Sequence, residues 1–202
     1  DGKNDFPRQP FHRVVAISFL EADIEYGGCG ESYYLKELRS GGEAGFDEKQ
    51  LLQGFFQYFE HLKPRLVSFN GRTFDLPVLK YRAMAHGIAA PRLYGAGDKW
   101  NSYQSRYSMD WHCDLLDVLR DYGASAPVKL AEVCAAMGFP GKFGVDGSQV
   151  ADMIDAGDVR AVRDYCETDV LNTYLVYLRT MQHRGTLDHD AYNRAAADVI
   201  TM

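Results

Sequence analysis

The chain reads as a mixed α/β fold, a sheet packed by helices, and three observations predict it. A near-continuous apolar run from Val14 to Leu20 is followed by a glycine turn, Gly27-Gly28, and a second short apolar stretch, Ser32 to Leu35. Leu51, Leu52, Phe55, Phe56, Phe59 and Leu62 then recur at helical spacing. Short apolar runs and helical patterns alternate thereafter, the order expected of helices layered on a sheet.

The elements follow in order. Asp1 to Pro10 is polar, carries two prolines and reads as a linker feeding the first strand. Val14 to Leu20 predicts a strand buried on both faces, closed into a hairpin with Ser32 to Leu35. Asp47 followed by Gln50 has capping-box spacing, so a helix should start there and run to Pro64. Leu66 to Phe69 is a short strand ending at the Asn70-Gly71 turn signal. A helix starts near Asp75, where Pro77 fits the first turn, and runs to about His86. Gly87 to Met109 is irregular and aromatic, long enough for a functional loop. Trp111 to Cys113 is a short strand, and Asp114 caps the helix of Leu115 to Leu119. Leu130 to Met137 is helical and closed by Gly138. Gly141 to Gly147 lacks phosphate-loop spacing and reads as a plain loop. Ser148 caps a helix to about Asp155, and Asp158 starts the longest helix, to about Arg184. Thr186 or Asp188 caps a last amphipathic segment, a helical extension over 186–202.

With 202 residues, 46% apolar and 25% charged, the chain suits one sizeable soluble domain. No apolar run approaches the roughly 20 residues of a membrane span. The four cysteines, Cys29, Cys113, Cys134 and Cys166, lack C-x-x-C spacing, and no signal-peptide pattern opens the sequence, so the cytoplasm is the default compartment. Net charge is −6, yet between residues 61 and 110 eight lysines and arginines face only Asp75, Asp98 and Asp110. Phe69, Phe74, Tyr81, Tyr94, Trp100, Tyr103 and Tyr107 are interleaved there, a composition suited to a phosphate backbone with stacked bases.

Two motifs carry chemistry. Ser68-Phe69-Asn70-Gly71-Arg72-Thr73-Phe74-Asp75-Leu76-Pro77 sets a carboxylate just past an apolar strand. Tyr165-Cys166-Glu167-Thr168-Asp169 sets a phenol one helical turn before another carboxylate, on one helix face. Phosphodiester hydrolysis needs an activated water and a stabilised leaving oxygen, which paired divalent ions held by a few carboxylates provide. Asp75 and Asp169 are the candidate metal ligands, Tyr165 the water-positioning phenol, and Asn70 either a nucleotide contact or a turn former. Taken singly, Asp75 reads as a helix cap, Tyr165 as a core tyrosine and Asp169 as a solvated helix residue; their joint occurrence in order carries the hypothesis. Asp114 and Asp117 are further acids near the sheet's end, Asp114 as a cap or as support to the site. The six histidines show no paired metal spacing.

Asn70-x-x-x-Phe74-Asp75-Leu76-Pro77 resembles the second exonuclease motif of family B DNA polymerases. Tyr165-x-x-x-Asp169 resembles the third, tyrosine-type motif of DnaQ-like 3′–5′ exonucleases. The Arg13-to-Ser18 strand, the Phe139-Pro140-Gly141-Lys142 loop and Asp164 to Thr173 extend the likeness, over most of the chain, to predicted bacterial exonucleases related to the polymerase B proofreading domain. The resemblance implies a ribonuclease H-like fold, a site with two Mg²⁺ or Mn²⁺ ions, metal-associated Asp75 and Asp169, and a water-orienting Tyr165. The ligand would be the 3′ end of single-stranded DNA or RNA, with Phe74 or the 94–107 loop against the terminal bases.

The resemblance also implies an Asp-x-Glu pair on a first strand, and no such strand precedes Val14. The expectation is that the fold lacks its first strand here and that the pair lies upstream of residue 1. Asp23-Ile24-Glu25 is the alternative within the sequence. A catalytically incomplete nucleic-acid-binding module on the same fold is the rival reading, and an interaction scaffold the third.

Overall fold

The computed structural model describes residues 7–28, 30–42, 45, 47–141 and 147–201. The first six residues of the expected linker, Cys29, and Lys142 to Asp146 of the expected glycine-rich loop lie outside the described residues. The chain divides into two compact units, Asp1–Val15 with Ala44–Leu119, and Ala16–Glu43 with Arg120–Met202.

The first unit contains helices α1 (Glu48–Leu62), α2 (Asp75–Ala85), α3 (Pro91–Gly95) and α4 (Leu115–Leu119), and strands β3 (Leu66–Ser68) and β4 (His112–Asp114). Asp47 starts α1 as its sequence demands: its carboxylate accepts the Lys49 N–H at 3.1 Å and Gln50 reaches back to the Asp47 N–H. The apolar stripe of α1 buries Leu51, Leu52, Phe56 and Phe59, against α2 and α3. β3 and β4 pair in parallel, with Leu66 opposite His112, Val67 opposite Cys113 and Ser68 opposite Asp114. Residues Gln9–Phe11, within and just past the expected linker, form a single 3₁₀ turn against α2, where Gln9 donates to the Thr73 carbonyl at 3.1 Å.

The second unit is built on a hairpin of β1 (Ile17–Gly27) and β2 (Gly30–Gly41), covered by α7 (Val159–His183) and α8 (His189–Ile200), while α5 (Leu130–Met137) and α6 (Val150–Asp155) pack on α7. Both strands differ from the sequence reading. β1 starts three residues later than expected and runs to the turn, and β2 is far longer than Ser32 to Leu35. No β1 residue is fully buried, so the strand is half-covered rather than buried on both faces. Its outer half alternates Asp23 and Glu25 outward with Ile24 half-buried, a charged strand edge that an apolar-run criterion misses. A register shift at Glu21/Ala22 leaves Lys36 as the bulged residue, its ammonium 2.9 Å from Glu21 and 3.6 Å from Asp23. α7 supplies the core of this unit with Leu175, Val176, Tyr177, Leu178 and Met181, and the Tyr177 hydroxyl meets that of Tyr33 at 2.9 Å. Asp158 and Asp188 cap α7 and α8 by accepting from the Ala161 and Ala191 N–H groups.

Glu48 organises the first unit. It is 4% exposed, and accepts from the Val14 N–H at 2.7 Å, from Arg82 at 2.8 and 2.6 Å, and shares a 2.8 Å contact with His86. Burial alone would raise its pKa, but the Arg82, His86 and Val14 hydrogen bonds and the Arg82 charge outweigh it and hold the carboxyl at about 2. Because the folded pKa lies below the ordinary 4.5, this stabilisation is complete above about pH 4.5 and is lost as the pH falls toward 2. Glu48→Ala removes one partner of a buried ion pair and should cost about 3 kcal/mol in urea unfolding at pH 7. The difference between wild type and variant should shrink when the measurement is repeated near pH 3.

Candidate active site

The first motif forms a tight turn between β3 and α2. Asn70 adopts a left-handed φ of 67°, and its carbonyl accepts the N–H groups of Thr73 and Phe74 at 3.2 and 3.1 Å. The Asn70 side-chain oxygen accepts the Thr73 hydroxyl, so this amide serves the turn, one of the two roles its sequence allowed. Phe74 occupies the N-cap position of α2 with its ring edge-on to His12 at 5.1 Å. Asp75 is therefore the first helical residue rather than the cap, and it is exposed. A carboxylate there benefits from the partial positive charge of the helix start.

The turn is held from below by Asp114, the last residue of β4. Its carboxylate is 4% exposed and accepts three backbone N–H groups: Asn70 at 2.9 Å, Arg72 at 2.8 Å and Leu116 at 3.1 Å. The last of these is the local helix start expected of it, and the other two are long-range support. Beside it, Ser68 Oγ and His112 Nε2 share a 2.8 Å hydrogen bond. Burial, with the Arg72 and Lys80 charges, pushes the His112 pKa down to about 3, so its imidazole is neutral at pH 7. Gly71 is needed because a Cβ there would lie 2.5 Å from Ser68 Oγ and 3.4 Å from Asp75 Oδ2.

The second motif lies on α7. Tyr165 and Asp169 are both half-buried and one turn apart. The Tyr165 hydroxyl is 3.3 Å from where a Cβ on Gly147 would sit. Asp169 lies near the buried Cys134, whose thiol pKa is raised by burial and by that acid's charge. One turn further, the buried Asn172 accepts the Gly141 N–H at 3.0 Å and donates to the carbonyls of Gly141 and Thr168, each at 2.9 Å. Asn70, Phe74 and Asp75 belong to the first unit; Tyr165 and Asp169 belong to the second.

Other acids are engaged elsewhere. Asp117 takes both ends of the Arg106 guanidinium at 2.9 and 2.6 Å, with Arg72 3.9 Å away. Among the described residues, no three histidine, cysteine or acidic side chains are gathered as a ready-made metal cage.

A family model described as predicted 3′–5′ exonucleases related to the exonuclease domain of PolB matches residues 4–202. The chain belongs to this family. A 69-residue stretch, 33% of the chain, is 38% identical to the catalytic polypeptide of DNA polymerase epsilon from Kluyveromyces lactis, and the match covers 3% of that polymerase.

Sequence reasoning missed two supports in this family member. Asn172 stood inside the quoted motif without a role, although a buried asparagine seven residues past Tyr165 repeats the helix face. His112 carried no signal at all, because its partner Ser68 is contributed by another strand. Asp114→Asn leaves one face of the carboxylate unable to accept and should cost about 1–3 kcal/mol in urea unfolding. Asp155→Asn, at an exposed residue of the second unit, should leave stability nearly unchanged under the same conditions.

Proposed function

We propose that the chain is a metal-dependent 3′–5′ exonuclease that hydrolyses the terminal phosphodiester at the 3′ end of single-stranded DNA, or of RNA, releasing nucleoside monophosphates. The observation that carries this reading is the exposed Asp75 at the head of α2, behind a turn that the buried Asp114 keeps in one conformation. Such an arrangement presents an acid to a ligand without burying its charge.

Asp75 and Asp169 offer carboxylate oxygens, the hard donors Mg²⁺ and Mn²⁺ take, and their exposed and half-buried positions suit an ion that keeps several waters. When bound, such ions supply an activated water and stabilise the leaving oxygen. Tyr165 orients the attacking water through its hydroxyl, on the α7 face that bears Asp169. Phe74 stacks on the terminal base, and Asn70 binds the nucleotide with the polar atoms its turn leaves available. Neither contact reads base identity, so sequence preference should be weak.

Both units form one exonuclease domain of ribonuclease H-like architecture in this reading. The Asp-x-Glu pair that the resemblance implies has Asp23 and Glu25 as its candidates in this chain, two exposed acids two residues apart on β1. Cys113, Cys134 and Cys166 are free thiols, in keeping with a cytoplasmic setting, and among the described residues no helix is long and apolar enough to cross a membrane. A second reading, binding without cleavage, draws on the Lys36 ammonium 3.6 Å from Asp23, which competes for that carboxylate.

A 3′-labelled single strand separates the two. Degradation should require Mg²⁺ or Mn²⁺ and vanish in Asp75→Ala and in Asp169→Ala while circular dichroism stays native. Tyr165→Phe should slow kcat on the order of 10²-fold. Unchanged cleavage in both aspartate variants would remove the enzymatic reading.

A further inference from the structure

Five of the eight cations in the basic 61–110 window lie within reach of carboxylates: Arg65 with Asp110, Arg72 with Asp117, Arg82 with Glu48, Arg92 with Glu60 and Arg106 with Asp117. Two of the remaining lysines are placed over exposed rings. Lys99 Nζ is 4.8 Å from the centroid of Trp100, which is 74% exposed, and Lys80 Nζ is 5.6 Å from that of Tyr94, which is 57% exposed.

The stretch that bears these rings is tightly folded. Gly97 takes a φ of 86°, and a Cβ there would lie 2.0 Å from the Asn101 carbonyl oxygen. Asp98 accepts the N–H groups of Trp100 and Asn101 at 2.7 and 2.8 Å, and its own N–H donates to the Asn101 carbonyl at 2.8 Å. Tyr103 anchors the following turn, buried with its hydroxyl donating to the Pro64 carbonyl at 2.6 Å. Two consecutive residues then join the two rings' lysines: Gln104 accepts from Lys80 at 3.4 Å and donates to the Leu93 carbonyl at 3.0 Å, while Ser105 donates to the Lys99 carbonyl at 3.3 Å.

A tryptophan held outward by a closed turn leaves a large apolar surface in water. The lysine at its face adds the second half of a recognition unit, a flat surface for a base beside a positive charge for a phosphate. We propose that Trp100 with Lys99 and Tyr94 with Lys80 are two stacking stations for bases of a single nucleic-acid strand, with each lysine meeting an adjoining phosphate. This rests on the nuclease reading only in taking a nucleic acid as ligand, and adds where the strand is gripped.

The test is anisotropy of labelled dT20 and rU20 with the full chain in EDTA at low salt, which makes binding independent of catalysis. Wild type should bind one or both strands, and Trp100→Ala should weaken binding about fivefold or more. Trp100→Phe, which keeps a ring, should stay within about threefold, and Lys99→Ala should flatten the salt dependence by about 0.7 in log–log slope. Equal affinity of Trp100→Ala and wild type, or no binding of either strand by wild type, overturns the proposal. So does a loss of self-association in Trp100→Ala on sedimentation with oligonucleotide affinity unchanged, which would assign the rings to a second copy of the chain. Strand binding that depends on Trp100 without any metal-dependent cleavage would sustain this proposal and sink the exonuclease reading. Cleavage that needs Asp75 with binding indifferent to Trp100 would do the reverse.

Discussion

The first motif depends on a buried carboxylate satisfying backbone donors that no strand can reach. The β3–β4 ladder ends where Ser68 stands opposite Asp114, and the chain then reverses through a left-handed Asn70. Beyond that point the N–H groups of Asn70 and Arg72 have left the ladder. Unpaired in a buried setting, each would cost about 1–3 kcal/mol. Asp114 is already at the right height, since parallel register fixes it across from Ser68, and it takes both donors together with the Leu116 N–H at the start of α4. The helix that Asp75 starts is tied to this turn, the Leu76 N–H donating to the Gly71 carbonyl at 2.8 Å. Gly71 completes the constraint by allowing Ser68, itself bonded to the neutral His112, to lie directly under the turn.

Charge in this chain has two uses that composition alone cannot separate. The window from 61 to 110 is basic by count, yet its arginines are drawn into ion pairs that fasten helices and loops of the first unit to one another. Arg82 reaches Glu48 on α1, Arg92 reaches Glu60 on the same helix, and Arg106 closes on Asp117 with bidentate geometry. Planar guanidinium groups suit fixed, forked contacts with carboxylates, whereas the ammonium of a lysine is a hydrated point charge on a flexible stem. The division seen here, arginines on carboxylates and Lys80 and Lys99 over exposed rings, follows that difference. A positive surface for phosphate therefore rests on far fewer residues than the sequence count suggests.

What the sequence disclosed was local. The capping box of Asp47 and Gln50, the caps of Asp158 and Asp188, and the left-handed Gly138 that closes α5 each act within a few residues, so spacing alone reveals them. The motif helices were placed for the same reason. Strand limits were not, because β1 continues through the half-buried Glu21 and the exposed Asp23 and Glu25, whose strand character comes from pairing with β2. Two supports of the site were hidden for a related cause. Asn172 and His112 gain their meaning from partners distant in the chain, whereas Asp114, read as a cap or as support, serves as both, since a carboxylate looks the same in a sequence whether it caps a helix or holds a turn.

The α7 helix shows how far one face can be specialised. Tyr165, Asp169 and Asn172 follow the helical repeat, so the three side chains line one side. At one end of this row Asn172 is consumed by the chain itself, its amide locked to both backbone groups of Gly141. At the other, the Tyr165 hydroxyl abuts the backbone of Gly147, where no side chain intervenes. Gly141 and Gly147 thus bracket a short segment whose two described ends both meet this face. Asp169 stands between these anchors, and its charge reaches Cys134 beneath it, which helps keep that buried thiol protonated. In the exonuclease reading proposed above this matters, because a carboxylate that holds one orientation toward a ligand depends on rigid neighbours, and Asn172, locked to Gly141, supplies one.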